Sequence, residues 1–453
     1  MKRPAPKHRP SPRGSEPRTA PRVAPRVAPR VAEVTVGEVG ARGDGIASFE
    51  DAKLFVPLTV PGDRVRVAVK DAANAKGDGL RADLLEILEP GPGRAAPPCS
   101  HFGTCGGCTL QHMEDAAYAA WKVGLVQGAL ARVGLGDAVL EPLSRTPPAA
   151  RRRARFAALK RGRRVWLGFN ERMSHRLTDL AECPVLRPNL FALVEPLRGL
   201  LLSVLPDGGG CDVIATDLEG GIDLVLVGPR SLDRAARERL VAFGEAEGVA
   251  RISWQADERQ PDGRGTPEPI AHRRPLAVSF AGLPVTPPPG AFLQASAEGE
   301  AALVAAVLAN IGEPKRVADL FAGLGTFAVP LARKAAVHAV EGDAPALAAL
   351  TKAAGTLRLT TERRDLFENP LTAKELARFD AVVFDPPRAG AAAQAQALAG
   401  SKVPRVVAVS CNPATFARDA RTLVDGGYAL SRVYPVDQFL WSAHVEVVGV
   451  FTR

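Results

Sequence analysis

Phe379-Asp380-Ala381-Val382-Val383-Phe384-Asp385-Pro386-Pro387-Arg388 and, after a helical interval, Arg405-Val406-Val407-Ala408-Val409-Ser410-Cys411-Asn412-Pro413 decide how the chain is read. Each half is a short apolar, β-branched run that stops abruptly at polar residues and proline. Buried parallel strands read this way, with a loop at the carboxyl end. Pro386, Pro387 and Pro413 forbid continuation of a strand ladder, so Asp385 and Cys411 fall where backbone leaves the sheet. In open α/β sheets that crevice is where ligands bind. A lone cysteine ending an apolar strand is ordinarily a small buried hydrophobe; two such strand ends together point instead to a shared site.

Working outward from that stretch, an α/β domain begins near Leu276. Arg316-Val317-Ala318-Asp319-Leu320-Phe321-Ala322-Gly323-Leu324-Gly325 reads as strand and glycine loop, followed by a helix. Such a loop lets backbone approach a ligand closely. The next strand, Ala336–Val340, ends in Glu341, a carboxylate placed to accept hydrogen bonds from two ribose hydroxyls. Gly-x-Gly without a third glycine is a weak fingerprint alone. Joined to Glu341, it indicates a nucleoside-bearing cofactor.

The chain has 453 residues, enough for about three domains, with 46% hydrophobic and 24% charged residues. No run approaches the ~18 apolar residues of a membrane span, so a soluble, cytoplasmic protein without membrane contact is expected. Residues 1–30 hold nine basic side chains against Glu16 alone, a net +8 that leaves +1 for the other 423 residues. This Pro/Arg-rich tail repeats Pro-Arg-Val-Ala three times and cannot bury a core. Its prolines oppose the amphipathic helix of a mitochondrial signal, and it lacks the apolar stretch of a secretory one. An electrostatic arm for nucleic acid is the preferred reading over a solubilising tail.

Residues 33–92 alternate short apolar runs with Gly and Pro turns, the pattern of a small β-barrel. Within 93–275 the telling segment is Cys99-x5-Cys105-Gly-Gly-Cys108, with Cys183 as an available fourth thiol. Six unevenly spaced cysteines do not form a disulfide framework; metal binding in a reducing compartment fits better. The spacing is not that of a common zinc ribbon, and an iron–sulfur cluster fits at least as well. Two runs meeting at Lys160-Arg161-Gly162 suggest a hairpin whose alternation puts Arg151, Arg153 and Arg155 on one face, as phosphate contacts or as a solvated surface. Residues 186–275 carry no motif of use.

Together these pieces resemble the RNA uracil-5 methyltransferase family, in the branch with an N-terminal TRAM barrel and an iron–sulfur cluster. The resemblance runs from about residue 33 to the C-terminus and rests on the Cys99/Cys105/Cys108/Cys183 set, Asp385-Pro386-Pro387-Arg388, Ser410-Cys411-Asn412-Pro413 and His444-Val445-Glu446. It implies a tail over 1–32, a TRAM-like barrel over 33–92 and a central α+β domain over 93–275 carrying a [4Fe-4S] cluster, with a helix near 113–135 packing on the catalytic part. A Rossmann-like domain over 276–453 would bind S-adenosylmethionine. Cys411 would be the nucleophile and Glu446 the general base; Gln294, Asp319, Phe321, Gly323, Glu341, Asp365 and Asp385 would line the cofactor. The implied partner is RNA, ribosomal (23S) in preference to transfer RNA, and the implied state a monomer.

The chemistry explains why those residue types are needed. C5 of uracil is a poor carbon nucleophile until a thiolate adds at C6, and the C5 proton must later leave to a base. Alternation would set His444 and Glu446 on one strand face, with Val445 and Val447 on the other. Three positions depart from the family pattern: Ser296 replaces an Asn, an Asn-Ala pair is missing near Ala353-Ala354, and Phe439-Leu440-Trp441-Ser442 replaces Phe-Pro-x-Thr. Rival readings lack support from particular residues. An amino-group methyltransferase needs no thiol and places an aromatic where Arg388 stands. A cytosine-5 enzyme would surround its thiol differently, and a non-catalytic RNA-binding assembly factor has no need of both Cys411 and Glu446.

Overall fold

The computed structural model describes residues 30–70, 79–256, 266–355 and 357–453; the basic tail, up to residue 29, lies outside them. Five strands close a barrel in the spatial order Arg30–Val39, Gly45–Phe49, Ala52–Val56, Leu80–Glu89, Arg64–Val69. The first strand therefore starts ahead of residue 33. Alternation along Arg64–Val69 sends Val65, Val67 and Val69 inward with Val34, Val36, Leu54 and Val56, while Arg64 and Arg66 pair outside with Glu33, Glu86 and Glu89. Where the barrel meets the next segment, fully buried Asp63 accepts hydrogen bonds from the Val60 and Gly91 amides and from Arg94.

A seven-stranded sheet forms the centre of the chain, in the order Glu268–His272, Arg251–Ala256, Gly221–Gly228, Gly210–Leu218, Arg153–Arg161, Arg164–Asn170, Leu177–Asp179. The Arg153–Arg161 and Arg164–Asn170 hairpin turns at Gly162, whose φ of 58° is the left-handed conformation the turn requires. Helices Val194–Val204 and Arg234–Ala246 cover one face through Leu197, Leu201 and Leu240.

The C-terminal sheet has eight strands in the order Leu359–Arg363, Ala336–Glu341, Arg316–Leu320, Ala381–Phe384, Arg405–Ser410, Glu446–Thr452, Ala429–Asp437, Ser144–Arg145. The first five are parallel, and the strand order reverses direction from Arg316–Leu320, on either side of which its neighbours diverge. Helices connect the parallel strands and cover both faces, so the central strand Ala381–Phe384 is apolar and buried throughout. Glu446–Thr452 lies antiparallel between Arg405–Ser410 and Ala429–Asp437.

Two pieces from the middle of the chain join this sheet. Ser144–Arg145 supplies its eighth strand. Helix Asp115–Ala131, capped at its start by Glu114, packs Val126, Ala129 and Leu130 into the apolar cluster behind the sheet. The span 93–275 thus contributes elements to both sheets. The helix is anchored by Lys122, whose ammonium donates to Asp437 Oδ1 at 2.8 Å with both side chains fully buried. Replacing Asp437 with Asn would strand the buried Lys122 charge, so we expect a loss of about 3–5 kcal/mol in urea unfolding; an apolar pair at both positions should recover most of it.

Candidate active site

The site lies at the carboxyl ends of the central parallel strands. Asp319 sits near the end of Arg316–Leu320, is fully buried, and has no hydrogen-bond partner on either carboxyl oxygen, though the Ala328 amide is near. The chain then passes through Phe321 in the left-handed region, φ 61°, a strained conformation for a non-glycine residue. Gly323 follows with φ 54°, and a Cβ added there would meet nothing within 4 Å. Its amide donates to Glu341 Oε2 at 2.8 Å, while Glu341 Oε1 accepts from the Asp343 amide at 2.7 Å. The glycine loop and the carboxylate ending the next strand therefore form one frame beside open space. Asp365 Oδ1 accepts from the Phe367 amide at 2.9 Å, and Phe367, half exposed, packs 5.4 Å from the Phe321 ring.

On the neighbouring strands, Asp385 Oδ2 accepts a hydrogen bond from Gln294 Nε2 at 3.1 Å. Cys411 follows Arg405–Ser410 and directly precedes helix Pro413–Asp425, which Asn412 caps through the Ala414 amide at 3.1 Å. Asn412 Nδ2 and Thr415 Oγ1 both donate to the Arg388 carbonyl, at 3.3 and 3.4 Å. These bonds tie the loop after Asp385 to the loop after Cys411. Glu446 opens the adjoining antiparallel strand, almost fully buried, and accepts from Gln438 Nε2 at 2.9 Å.

Charge in this crevice is crowded. Burial raises the carboxyl pKa values of Asp319, Asp385 and Glu446, and Asp385 further raises those of Asp319 and Glu446. The Cys411 thiol is pushed up to about 11, first by burial and then by Glu446 and Asp385, with Arg388 opposing. Like charges this close cannot all ionise together. Between the ordinary carboxyl range near pH ~4 and about pH 8 these carboxyls hold more protons in the folded protein than in the unfolded chain. Their contribution to stability therefore falls as pH rises through that window.

The structure brings Cys411, Asp385, Glu446 and Gln294 into one crevice, with Asp319 and Glu341 acting on the same electrostatic environment. It differs from the expected strand faces at His444. The last strand begins at Glu446, leaving His444 exposed in the preceding turn, and Val445, Glu446 and Val447 are all buried. Helices cover both sides of this inner strand, so period-two alternation is lost. The arginine row does share one face, alternating with buried Arg152, Ala154 and Phe156, and its outermost member, Arg155, is exposed and paired with Asp212 at 2.6 Å. Arg151 and Arg153 turn toward Phe439 and Phe292, 5.7 and 6.0 Å from their rings. Ser296, in place of the family's Asn, caps helix Ala297–Asn310 through the Gly299 amide at 3.0 Å.

Sequence reasoning missed Gln438, Lys122, Tyr118 and Asp437. Tyr118 Oη donates to Asp437 Oδ2 at 2.7 Å and accepts from the Trp441 amide at 2.8 Å, and Lys122 donates to the His444 carbonyl. No local motif marks these residues; a lysine on an otherwise apolar helix face was the only available signal.

Cys99, Cys105, Cys108 and Cys183 are free thiols lining one cavity of about 240 Å³, shared with Phe169, Arg151, Leu440 and Ser442. The loop is docked by the Gly106 amide donating to the Asn170 carbonyl at 2.9 Å and by the Ala181 amide donating to His101 Nε2 at 2.8 Å. Burial first, and then the other three thiols, push the Cys108 pKa up to about 12, with a hydrogen bond from Gln111 opposing. Among the described residues, no three His, Cys, Asp or Glu side chains converge closely enough to hold a single metal ion.

Such a crevice at the sheet's carboxyl edge, with a barrel at the N-terminus, defines an α/β methyltransferase fold. A Pyrococcus abyssi tRNA (uracil-54, C5)-methyltransferase, solved with S-adenosyl-L-homocysteine, shares it at a TM-score of 0.73, covering 92% of this chain and 99% of that one at 21% identity. A family profile for tRNA (uracil-5-)-methyltransferases matches residues 359–453. An uncharacterized RNA methyltransferase of Brucella suis is 47% identical, over 93% of this chain and 98% of its own. A 23S rRNA uracil-C5-methyltransferase of Halomonas elongata is 35% identical, over 91% and 88%. The chain belongs to the RNA uracil-5 methyltransferase family, whose enzymes depend on S-adenosylmethionine. No described helix is long and apolar enough to cross a membrane.

The charge crowding is testable without substrate. Between about pH 5 and pH 8 the urea midpoint of the ligand-free protein should fall relative to that of Asp385→Asn, which removes one member of the crowded set. Parallel pH dependences would show that Asp385 is not held above the ordinary carboxyl range.

Proposed function

We propose that the protein methylates C5 of one uridine in 23S ribosomal RNA, with Cys411 as nucleophile and Glu446 as general base. The observation that carries this reading is the convergence of Cys411, Asp385 and Glu446 at the ends of three neighbouring strands, each close enough to alter another's ionisation. Cys411 Sγ adds to C6 of the uracil, which makes C5 nucleophilic. S-adenosylmethionine supplies the methyl group on a sulfonium cation. After C5 has taken the methyl, Glu446 accepts the C5 proton, the C6–S bond breaks, and Cys411 leaves as thiolate.

Gln294 and Asp385 line the methyl-donor side, and the buried Asp319 carboxyl can accept from a donor group there. Gly323 leaves room for the ligand, Glu341 has lone pairs left for ribose hydroxyls, and Asp365 with the Phe321–Phe367 pair frames the adenine end. The crowded carboxylates suit a cationic donor, since a positive charge beside Asp385 relieves repulsion that otherwise disfavours the Cys411 thiolate. To reach that thiol, the uridine must leave any stack.

The ribosomal reading is favoured over transfer RNA by the 35%-identical relative, which spans nearly the whole chain; the transfer-RNA structure is similar only in fold. The test is 5-methyluridine mapping by mass spectrometry in RNA from cells with and without the protein. A methyl group lost from transfer RNA and not from the large ribosomal subunit would overturn the substrate. For the mechanism, Cys411→Ala should lower turnover at least ~10³-fold and form no RNA-linked species. Glu446→Ala should lose about 10²–10⁴-fold while accumulating a denaturant-resistant, methylated RNA adduct.

The four thiols are proposed to hold an iron–sulfur cluster. Four free thiols spread around one cavity, without convergence on a single point, suit a polynuclear centre better than one zinc ion. Methyl transfer needs no redox step, so its role here is structural. Anaerobically purified protein should be brown and contain iron and sulfide; stoichiometric zinc with negligible iron would overturn this assignment.

A further inference from the structure

Gln438, the first residue after strand Ala429–Asp437, is 3% exposed, and every hydrogen-bonding atom of its side chain is engaged. The backbone amide of Ala295 donates to its Oε1 at 2.9 Å. A backbone N–H can only donate, so this contact fixes which end of the side-chain amide is oxygen. Nε2 must then face the other way, and its two hydrogens go to Gln294 Oε1 at 2.6 Å and Glu446 Oε1 at 2.9 Å. With its oxygen so occupied, Gln294 turns its own Nε2 toward Asp385, 3.1 Å away. One backbone amide thereby orients two side-chain amides and, through them, two carboxyl groups on different strands.

The surroundings are shaped to admit this side chain. Gly299, in the first turn of helix Ala297–Asn310, faces it directly, and a Cβ there would lie 2.5 Å from Gln438 Cβ. The helix thus approaches closely enough to wall the frame in, and it does so only because it carries glycine at that point.

Resting on the assignment of Glu446 as base, we propose that Gln438 is a positioning residue that holds the Glu446 carboxylate and the Gln294 amide in one rigid frame, setting the proton acceptor in register with the methyl-donor side of the site. Its donation favours the ionised form of Glu446, the form able to accept a proton. The other titratable groups facing Glu446 are Asp385, which opposes ionisation, Lys122 from helix Asp115–Ala131, which supports it, and the Cys411 thiol. Gln438 is therefore the neutral group that offsets Asp385 without adding charge.

The test uses full-length Gln438→Met, which keeps an unbranched side chain of similar length and removes all three hydrogen bonds. Turnover at neutral pH should fall roughly 10- to 100-fold, the loss expected for a hydrogen bond to a charged group. The acid limb of the rate profile should move up by about one pH unit, and a methylated RNA adduct should accumulate. Affinity for S-adenosylhomocysteine reports the fold of the variant, and Gln438→Asn, polar and smaller, carries the same test if the methionine variant does not fold. A rate lowered equally at every pH, with no adduct, would mean that Gln438 only supports packing and would overturn the proposal, as would an unchanged rate. If Glu446→Ala itself traps no adduct, the base assignment fails instead; if it does and neither Gln438 variant does, only the proposal about Gln438 fails.

Discussion

The buried ion pair between Lys122 and Asp437 is the contact on which the arrangement of this protein depends. Both side chains are fully removed from solvent, a costly state unless every polar atom is satisfied. Here Asp437 takes one hydrogen bond from Lys122 and another from Tyr118, and Lys122 also reaches the His444 carbonyl. An apolar pair of the same volume would pack as well, so the effect of the ion pair lies in geometry more than in stability. It fixes one helix against one strand end in a single register, and with it the turn leading to Glu446.

That turn is held from a second side as well. The Thr109 and Leu110 amides donate to the Trp441 carbonyl at 2.8 and 3.0 Å, and Trp441 sits in the left-handed region at φ 58°. The segment just after the cysteine loop is therefore bonded directly to the segment just before Glu446, and Leu440 and Ser442 line the cavity of the four thiols. The cysteine loop and the crevice share one connecting segment, although the loop and Glu446 lie more than 300 residues apart in the chain. Phe439-Leu440-Trp441-Ser442, the stretch that departs from the family pattern, is the piece that joins them.

The crevice itself is electrostatically frustrated. Three carboxyls held above their ordinary pKa and a thiol pushed up to about 11 destabilise the folded chain at neutral pH, in the way active sites commonly trade stability for function. The amide frame of Gln294 and Gln438 limits the damage, because neutral side chains fully hydrogen-bonded to one another satisfy buried oxygens without adding charge.

Sequence alone determined what local pattern governs. The apolar runs ending at Asp385 and Cys411, the glycine loop after Asp319 and the carboxylate of Glu341 each marked a strand end, because backbone periodicity and proline act over a few residues. The barrel was legible for the same reason, from alternation between turns. Tertiary structure alone decided which side chains meet across the chain. Glu446 has neighbours buried on both faces because its strand is inserted between two others and covered by helices, which defeats alternation as a guide. Arg155 is neutralised by Asp212 from a strand more than fifty residues on, and nothing local to Arg151 or Arg153 directs them to Phe439 and Phe292. Gln438 and Lys122 carry no motif, since their hydrogen bonds reach partners 143 and 315 residues away. Periodicity encodes which face a residue takes; only packing encodes what it finds there.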